Sequence, residues 1–361
     1  MTSSEAEKDS GTDAPDLKAP SPHKRRPRYP GRNPRRFEEK YKELNGDQYP
    51  EEIVRILASG KTPAGSHRPV CVREVLEALD PKPGETGLDA TLGYGGHAGE
   101  LLKRVLPGGR LWAVDVDPIE IKRTETRLRA QGFTEKELIV RRTNFAAVPK
   151  LLAEAGGGFD FILADLGVSS MQLDDPSRGF TYKAQGPLDL RLNQEKGVPA
   201  SDLLRSLTEE ELESMLREYS DEPYARVISR AVYEKRNTIS TTTALADTVR
   251  NALPGVSPSF TENDITRSIR RTFQTLRIAV NDEFAVLEQF LRNLPYCLKP
   301  GGRAAVLTFH SGEDDRVTRS FKEGLETGAY KAIGLDPIRP SPQEIYDNPR
   351  SKSAILRYAL I

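Results

Sequence analysis

The stretch LDATLGYGGHAGELL, residues 88–102, joins a short apolar run to an amphipathic run through four glycines, at positions 93, 95, 96 and 99. A glycine-rich turn between a strand and a helix exposes backbone N–H groups that have no helical partner and can bind a polar ligand. Three uses fit these residues: a dinucleotide turn, a turn that binds S-adenosylmethionine (AdoMet), and a tight connection without a ligand. The glycine pattern does not separate them, so the flanking sequence has to decide.

Short apolar runs alternate with helical patterns on both sides of this turn. Strands that alternate with helices predict βαβ units and therefore a parallel sheet. After residue 175 the pattern is helical and rich in charge, with Ser201 and Thr208 as expected N-caps. The predicted strands are TGLDAT (86–91), GRLWAVDVD (109–117), ELIVRRTNF (137–145), FDFILADLGVSS (159–170), GGRAAVLTFHS (301–311) and SAILRYALI (353–361). The predicted helices include VPKLLAEAG (148–156) and one continuous helix over 264–294.

These patterns divide the 361 residues into four segments. Residues 1–60 contain the basic run HKRRPRYPGRNPRRF and predict a disordered basic arm, because such a stretch cannot bury enough apolar surface to offset its ordering entropy. An arm that contacts RNA phosphates through its arginines is the alternative. Residues 61–175 and 290–361 form the two parts of an α/β domain, and residues 176–289 form a helical insertion between them.

The composition limits the classes of protein to which this chain can belong. The formal net charge is +0, so nucleic-acid binding has to come from local basic patches. Cys71 and Cys297 have no partners at metal-ligand spacing, and the histidines share none with each other, so we expect no metal site and no disulfide framework. Cysteine usage fits a reducing compartment, and no apolar run approaches the ~20 residues that span a bilayer. We therefore expect a cytoplasmic protein without a membrane partner.

Residues at the ends of the predicted strands indicate which ligand the glycine turn binds. Asp115 lies about 20 residues after the glycine turn, where a carboxylate binds ribose hydroxyls; the alternative is a helix N-cap, for which Asp117 is better placed. Phe145 lies where an adenine can pack, although an ordinary core phenylalanine fits equally well. Asp165 is followed by a turn-rich loop, which suits an enzyme that methylates exocyclic amines; a strand-end cap is the alternative.

The assembled motifs resemble the bacterial 16S ribosomal RNA cytosine-N4 methyltransferases, the small-subunit rRNA methyltransferase H family. DLGVSSMQLDDPSRGF, residues 165–180, is the most specific of them. The resemblance covers about 66–361 and includes DATLGYGGHAGELL, RTFQTLRIAVNDEF, LKPGGRAAVLTFHSGED and NPRSKSAILR. It implies a Rossmann-like class I methyltransferase sheet with an inserted α-helical domain. It also implies AdoMet-dependent N4-methylation of a decoding-region cytidine in small-subunit rRNA, within an assembled or late-assembling 30S subunit.

The resemblance also implies a set of site residues. The cytidine would lie in the cleft between the sheet domain and the insertion, and Asp165 is the residue we expect to act on its amine. A homodimer remains one alternative for the oligomeric state. The implied cofactor-binding residues are Gly95, Gly96, His97, Asp115, Phe145, Asp165 and Gln172.

Candidate substrate residues lie mainly in the insertion. Arg178 and Arg191 could pair with phosphates and Asp189 could hold a base edge, although an Asp189–Arg191 pair that only fixes the loop is equally consistent. Arg271 is a predicted phosphate contact on a basic helix face, and the default interpretation of that face is solvation. The same face carries Arg267, Arg270 and Arg277. His310, at the end of the fifth strand, is expected to line the substrate cleft.

Departures and rival functions remain. Residues 267–270 read RSIR where the family usually has His-Pro-Ala-Thr, residues 312–315 read GEDD in place of Leu-Glu-Asp-Arg, and HRPVCV replaces HVPVLL. An NAD-dependent oxidoreductase would use the same turn and Asp115, with His310 as a proton donor. A non-catalytic RNA-binding factor of ribosome assembly would keep the fold as a scaffold.

Overall fold

The computed structural model describes residues 69–255 and 260–361. The predicted arm over 1–60 and the first residues of the segment 61–175 lie outside this part of the chain. Within the described residues, no helix is both long and apolar enough to cross a membrane.

Seven strands of the described chain form one sheet. They are β1 Thr86–Asp89, β2 Arg110–Asp115, β3 Leu138–Arg142, β4 Phe159–Asp165, β5 Leu298–Thr308, β6 Ala332–Ile333 and β7 Ile355–Leu360. Their order is β3-β2-β1-β4-β5-β7-β6. The first five are parallel, and β7 runs antiparallel to β5 and β6. With helices inserted between β4 and β5, this sheet confirms the predicted Rossmann-like methyltransferase fold class.

Helices cover the sheet and form the insertion. Those of the first part are α1 Val72–Leu79, α2 Gly96–Val105, α3 Pro118–Ala130, α4 Leu152–Ala155 and α5 Ser170–Asp174. Between β4 and β5 come α6 Ala200–Ser206, α7 Glu209–Ser220, α8 Ala225–Lys235, α9 Thr242–Ala252, α10 Glu262–Asn281 and α11 Glu283–Cys297. After β5 come α12 Ser311–Glu326 and α13 Pro342–Asp347. Short 3-10 helices cover Phe145–Leu151, Pro176–Arg178, Leu253–Gly255 and Pro349–Ser353.

Three local predictions need correction. The first half of the helix expected over 148–156 is a 3-10 helix that contains Pro149, whose ring removes a backbone donor, and only Leu152–Ala155 is α-helical. The helix expected over 264–294 breaks at Asp282, which has a left-handed φ of 52°. Ser201 is not a cap, because Pro199 occupies that position, whereas Thr208 caps α7 in a capping box with Glu211.

Three hydrophobic clusters organise the packing. Consecutive residues of β2, such as Leu111 and Trp112, belong to two different clusters, because successive side chains of a strand point to opposite faces of the sheet. A third cluster lies wholly within Phe180–Leu276 and gives the inserted helices a core of their own. Leu287 on α11 packs with the sheet instead. The limits 176 and 289 predicted for the insertion stay a prediction.

Candidate cofactor and substrate site

A cavity of about 650 Å³ lies at the carboxyl edge of the sheet. The last residues of three neighbouring strands line it: Asp89 of β1, Asp115 of β2 and Asp165 of β4. Ligands of open parallel sheets bind at this edge, where the strand order reverses between β1 and β4. α10 and the first turns of α11 also line the cavity, through residues that include Arg277 and Phe284.

The glycine turn forms one wall of the cavity and leaves no room for side chains. Gly95 caps α2 with a φ of 75°, and a Cβ there would lie 2.6 Å from Cγ2 of Thr124. A Cβ on Gly96 would lie 2.8 Å from Cγ of Pro69. The Thr124 hydroxyl also donates a 2.6 Å hydrogen bond to the carbonyl of Gly93. The turn is therefore held tightly, with its backbone lining the cavity.

Asp115 has the bonding pattern of a carboxylate that can still take a ligand. Its two oxygens each accept one backbone N–H, from Gly93 at 2.7 Å and from Asp117 at 2.9 Å. Each oxygen keeps a further lone pair, which suits two ribose hydroxyls. Burial raises the pKa of Asp115 to about 6. The helix-cap alternative falls to Asp117, whose side chain accepts from the first backbone N–H groups of α3.

Asp165 and His97 each hold a buried polar atom that lacks a hydrogen-bond partner within the described part of the chain. Oδ2 of Asp165 lies 3.5 Å from Nε2 of His97. Among the described residues, neither Oδ1 of Asp165 nor Nε2 of His97 has a hydrogen-bond partner, although both are buried. Burial, with the charges of Asp89 and Glu313, raises the pKa of Asp165 to about 8, and burial lowers the pKa of His97 to about 4. Buried polar atoms without partners are costly, so this corner is suited to a polar ligand.

Phe145 and Gln172 also line the cavity. The Phe145 ring packs edge-on against Phe290 at 5.3 Å, which fixes its orientation. Gln172 is engaged at both ends of its amide: its oxygen accepts from the N–H of Ser169, and Nε2 donates to Asp117 at 2.7 Å. Every residue predicted to bind the cofactor thus lies around one cavity; their individual roles stay predictions.

Arg178 does not lie where the prediction needs it. It is 3% exposed, and Nη1 donates to the fully buried Asp117 at 2.8 Å. Nη2 donates to the carbonyl of Leu192 at 2.9 Å. A phosphate cannot approach a guanidinium enclosed in this way, so the structure gives Arg178 the task of joining the loop after β4 to α3.

Asp189 and Arg191 form a bidentate ion pair, with both N–O distances 2.8 Å. Burial alone would raise the pKa of Asp189, but the hydrogen bonds and charge of Arg191 outweigh it and hold that pKa below its usual value. Arg191 lines the cavity and Asp189 does not. The geometry agrees with the alternative in which this pair fixes the loop.

Arg271 and His310 lie outside the lining of the cavity. Nη1 of Arg271 is 4.0 Å from Oε2 of the buried Glu222. Nε2 of His310 is 3.2 Å from Oε1 of Glu313, and its ring lies 5.9 Å from that of Phe284. His310 therefore supports the cavity wall from behind, through neighbours that do line it.

The sequence reasoning missed three charged residues of the cavity and misplaced a fourth. Asp89 ends β1 inside the quoted stretch, is buried, and has a pKa raised to about 7 by burial. Glu313 accepts from the N–H of Phe309 at 2.7 Å, and Glu283 pairs with Arg277. Arg277 was expected on a solvated or phosphate-binding face, yet its side chain is 15% exposed and lines the cavity.

The departures from the family pattern have local explanations. A Cβ on Gly312 would lie 2.6 Å from the ring of Phe284, so the missing leucine makes room for that ring. Ser268 donates to the buried Glu222 at 3.0 Å, and Ile269 lies fully in the helical core. These differences shape packing behind the cavity.

Two groups among the described residues have ligand atoms within 4.8 Å of one another: Cys71 with Glu74 and Glu344, and Glu283 with His310 and Glu313. Arg277 pairs with one carboxylate of the second group and occupies it. The absence of a metal site stays a prediction.

Comparison with known proteins gives one family. A model of the MraW methylase family matches residues 64–360. A protein named ribosomal RNA small subunit methyltransferase H 1, from Lachnoclostridium phytofermentans, is 49% identical over 341 residues, 94% of this chain and 93% of that protein. Its namesake from Agathobacter rectalis is 48% identical over 341 residues, 94% of this chain and 97% of that protein. Both alignments are longer than the family match, so they extend into the residues before 64.

Proposed function

The chain belongs to the MraW methylase family and uses AdoMet as its cofactor, and we propose that it methylates N4 of one cytidine in the decoding region of small-subunit rRNA. The names of its relatives support ribosomal RNA as the substrate class. The observation that carries the choice of an exocyclic amine is Asp165, which ends β4 with an unpartnered Oδ1 in the same cavity as the glycine turn and Asp115.

The residues present fit AdoMet. The backbone of Gly95 and Gly96 and the free lone pairs of Asp115 would hold its ribose side, and Phe145 would lie beside the adenine. When bound, the cofactor supplies a methyl group on a sulfonium, which is already an activated electrophile. What remains for the chain is alignment, and positioning of this kind can contribute roughly 7 to 11 kcal/mol.

Asp165 would act on the attacking amine. The lone pair of a cytosine amine is delocalised into the ring, and a carboxylate that accepts from its N–H bonds raises its nucleophilicity. N4 loses a proton readily once it is methylated, so Asp165 need not be a strong base. His97 would hold the orientation of Asp165 from 3.5 Å. The base has to leave its stack, at a cost of a few kcal/mol that is smaller in single-stranded or strained RNA.

The segment over 176–289 would recognise the rRNA, since residues of α10 and of the first turns of α11 line the cavity. The assembled or late-assembling 30S subunit is the proposed form of the substrate. The basic arm over 1–60 would add phosphate contacts outside the described residues.

Mass spectrometry of rRNA from cells with and without the protein tests the proposal. We expect one cytidine to lose its N4-methyl group when the protein is absent. An unchanged set of modified cytidines contradicts the proposal.

Two further measurements address the rival functions. Calorimetric titration should show binding of AdoMet, whereas binding of NADH alone would support an oxidoreductase. Asp115→Ala should abolish the methylation; a biological effect that survives the substitution would point to a non-catalytic assembly factor.

A further inference from the structure

Arg277 is a largely buried cation that lines the same cavity as Asp165. It lies on α10, four residues after the core residue Phe273 and three before Val280, so it shares their helix face. That face meets the cavity, and the Arg277 side chain is only 15% exposed. A buried guanidinium has to be paired and hydrogen-bonded to be tolerated, which makes its partners informative.

Glu283 fixes the guanidinium in one orientation. Nε of Arg277 donates to Oε1 of Glu283, and Nη2 donates to Oε2, each at 2.9 Å. This fork-to-fork pairing uses the side edge of the guanidinium. Among the described residues no hydrogen bond occupies Nη1, and Nη2 keeps a second hydrogen. The end edge of the guanidinium thus presents two parallel donors.

The surrounding charge selects what those donors can bind. Burial lowers the pKa of Arg277, but the charges of Glu283 and Glu313 raise it by more. Glu313 also raises the pKa of Asp165, so Glu313 lies near both Arg277 and Asp165. A phosphate beside these two carboxylates would be repelled. Neutral acceptors, such as a ring nitrogen and a carbonyl oxygen, suit the site.

Several other donors of the cavity are engaged. Nδ2 of Asn281 donates to the carbonyls of Leu190 and Arg277. Arg350 donates to Asp174, and Arg191 is paired with Asp189. Nε2 of His97 is buried without a partner among the residues that the structure describes, but it lies 3.5 Å from Oδ2 of Asp165 and therefore belongs with that carboxylate.

We propose that Arg277, oriented by Glu283, reads the N3 and O2 acceptors of the target cytosine while Asp165 holds its N4 amine. This inference rests on the proposed function. A cytosine edge presents one donor, N4, followed by two acceptors, N3 and O2. Asp165 presents the complementary acceptor, and Arg277 presents the two complementary donors. Uracil would place O4 against Asp165 and an N3–H against Arg277. Adenine offers an amine and one ring acceptor, with no carbonyl beside it. Arg277 determines specificity, and Glu283 is its positioning residue.

The contact between Arg277 and the base is tested by changing the base and the protein side chain in separate experiments and in combination. Once the methylated nucleotide is mapped with the wild-type protein, small subunits are reconstituted with cytidine or with 3-deazacytidine at that position. The analogue keeps the amine and O2 but replaces the N3 acceptor by C–H. The measured quantity is the ratio of kcat/KM for the two substrates. Comparing this ratio between protein variants cancels the different intrinsic reactivity of the two amines.

The wild-type ratio should exceed that of Arg277→Met by about 10- to 100-fold, the usual value of a hydrogen bond from a charged donor. Arg277→Lys, which keeps the charge without the fork, should give a ratio between the two. Arg230→Met, on the exposed face of α8, should keep the wild-type ratio. The thermal unfolding and the AdoMet affinity of each variant distinguish a folding defect from a loss of base recognition.

Equal ratios in the wild type and in both Arg277 variants would overturn the assignment while leaving cytidine methylation intact. A wild-type protein that methylates no cytidine of the subunit would instead defeat the proposed function itself. A structural role of Arg277 would lower the rates on both substrates equally and leave the ratio unchanged.

Discussion

The sheet edge leaves polar atoms of Asp165 and His97 without partners, whereas the loop after β4 pairs Arg178 with Asp117 and Arg191 with Asp189. Both regions were expected to contact ligands. They differ in how many hydrogen-bonding positions of their charged groups remain free for a ligand. Acids of the sheet edge have raised pKa values because burial is not matched by a cation, as for Asp165 at about 8.

This difference separates binding from positioning. An unpartnered buried oxygen is a cost that the fold carries, and a ligand can remove it. The guanidinium of Arg178 is enclosed and cannot reach a phosphate, but its pair with Asp117 fixes the position of the loop. The predictions below test whether each region behaves in this way, beginning with the largest expected effect.

Arg178→Met should lower the free energy of unfolding by about 3 to 5 kcal/mol, the usual result of removing one partner of a buried ion pair. It leaves the Asp117 carboxylate, which is fully buried, without its cation. Urea unfolding followed by circular dichroism measures the change. Arg230→Met is the matched control, because Arg230 is 73% exposed and its pair with Glu234 should contribute less than about 1 kcal/mol.

Neutralising both partners sharpens this test. Asp117→Asn combined with Arg178→Met should be less destabilising than the sum of the single changes, because no unpaired charge is left buried. If Arg178→Met is as mild as the Arg230 control, the pair does not hold the loop.

Asp165→Asn should reduce single-turnover methylation by about 100- to 1,000-fold, as removal of one aligned polar group from a transition state usually does. The amide keeps the size of the side chain, so AdoMet affinity measured by calorimetry should change much less. Asp160→Asn is the control on the same strand, since Asp160 lies at the far end of β4 and pairs with Lys299 at 2.7 Å. A variant at position 165 with the wild-type rate would remove Asp165 from the chemistry.

The same carboxylate predicts a pH dependence. With a pKa raised to about 8, Asp165 is protonated below that value and charged above it, so kcat/KM should rise about tenfold between pH 7 and pH 9. Burial raises the pKa of Asp115 only to about 6 and that of Asp89 to about 7, so their titration ends earlier. Asp165→Asn should lose the rise above pH 7. A wild-type profile that is flat over this interval would contradict a role for the charged carboxylate.

Periodicity predicted the sheet because buried strands and amphipathic helices carry different spacings. It failed where a single residue overrides the spacing. Pro149 lies in a 3-10 helix that replaces the first half of a predicted α-helix, and Asp282 breaks another although both halves are apolar at the right intervals. The short β6 has only two residues, too few for any pattern.

The cofactor side of the site was predictable because strand ends converge at one edge of a parallel sheet. The substrate side was not, because pairing between charges is decided by tertiary contacts. Arg178 and Arg277 look alike in the sequence, yet one meets Asp117 in the interior and the other meets Glu283 at the cavity. Helix spacing could have placed Arg277, since it shares a face with Phe273 and Val280, but its free donors follow only from the contact with Glu283.

Arg191→Met gives the smallest expected effect on rRNA binding and the finest test of the comparison. The two side chains of its pair with Asp189 are only 18% and 12% exposed, so loss of the pair should lower the free energy of unfolding by about 1 to 3 kcal/mol. Because Asp189 already neutralises the guanidinium, the salt dependence of small-subunit binding should be unchanged. A decrease of about one in the slope of log affinity against log salt would show that Arg191 contacts a phosphate after all. Asp189→Asn separates the two cases further, since it frees the guanidinium and should steepen the slope only if a phosphate is within reach.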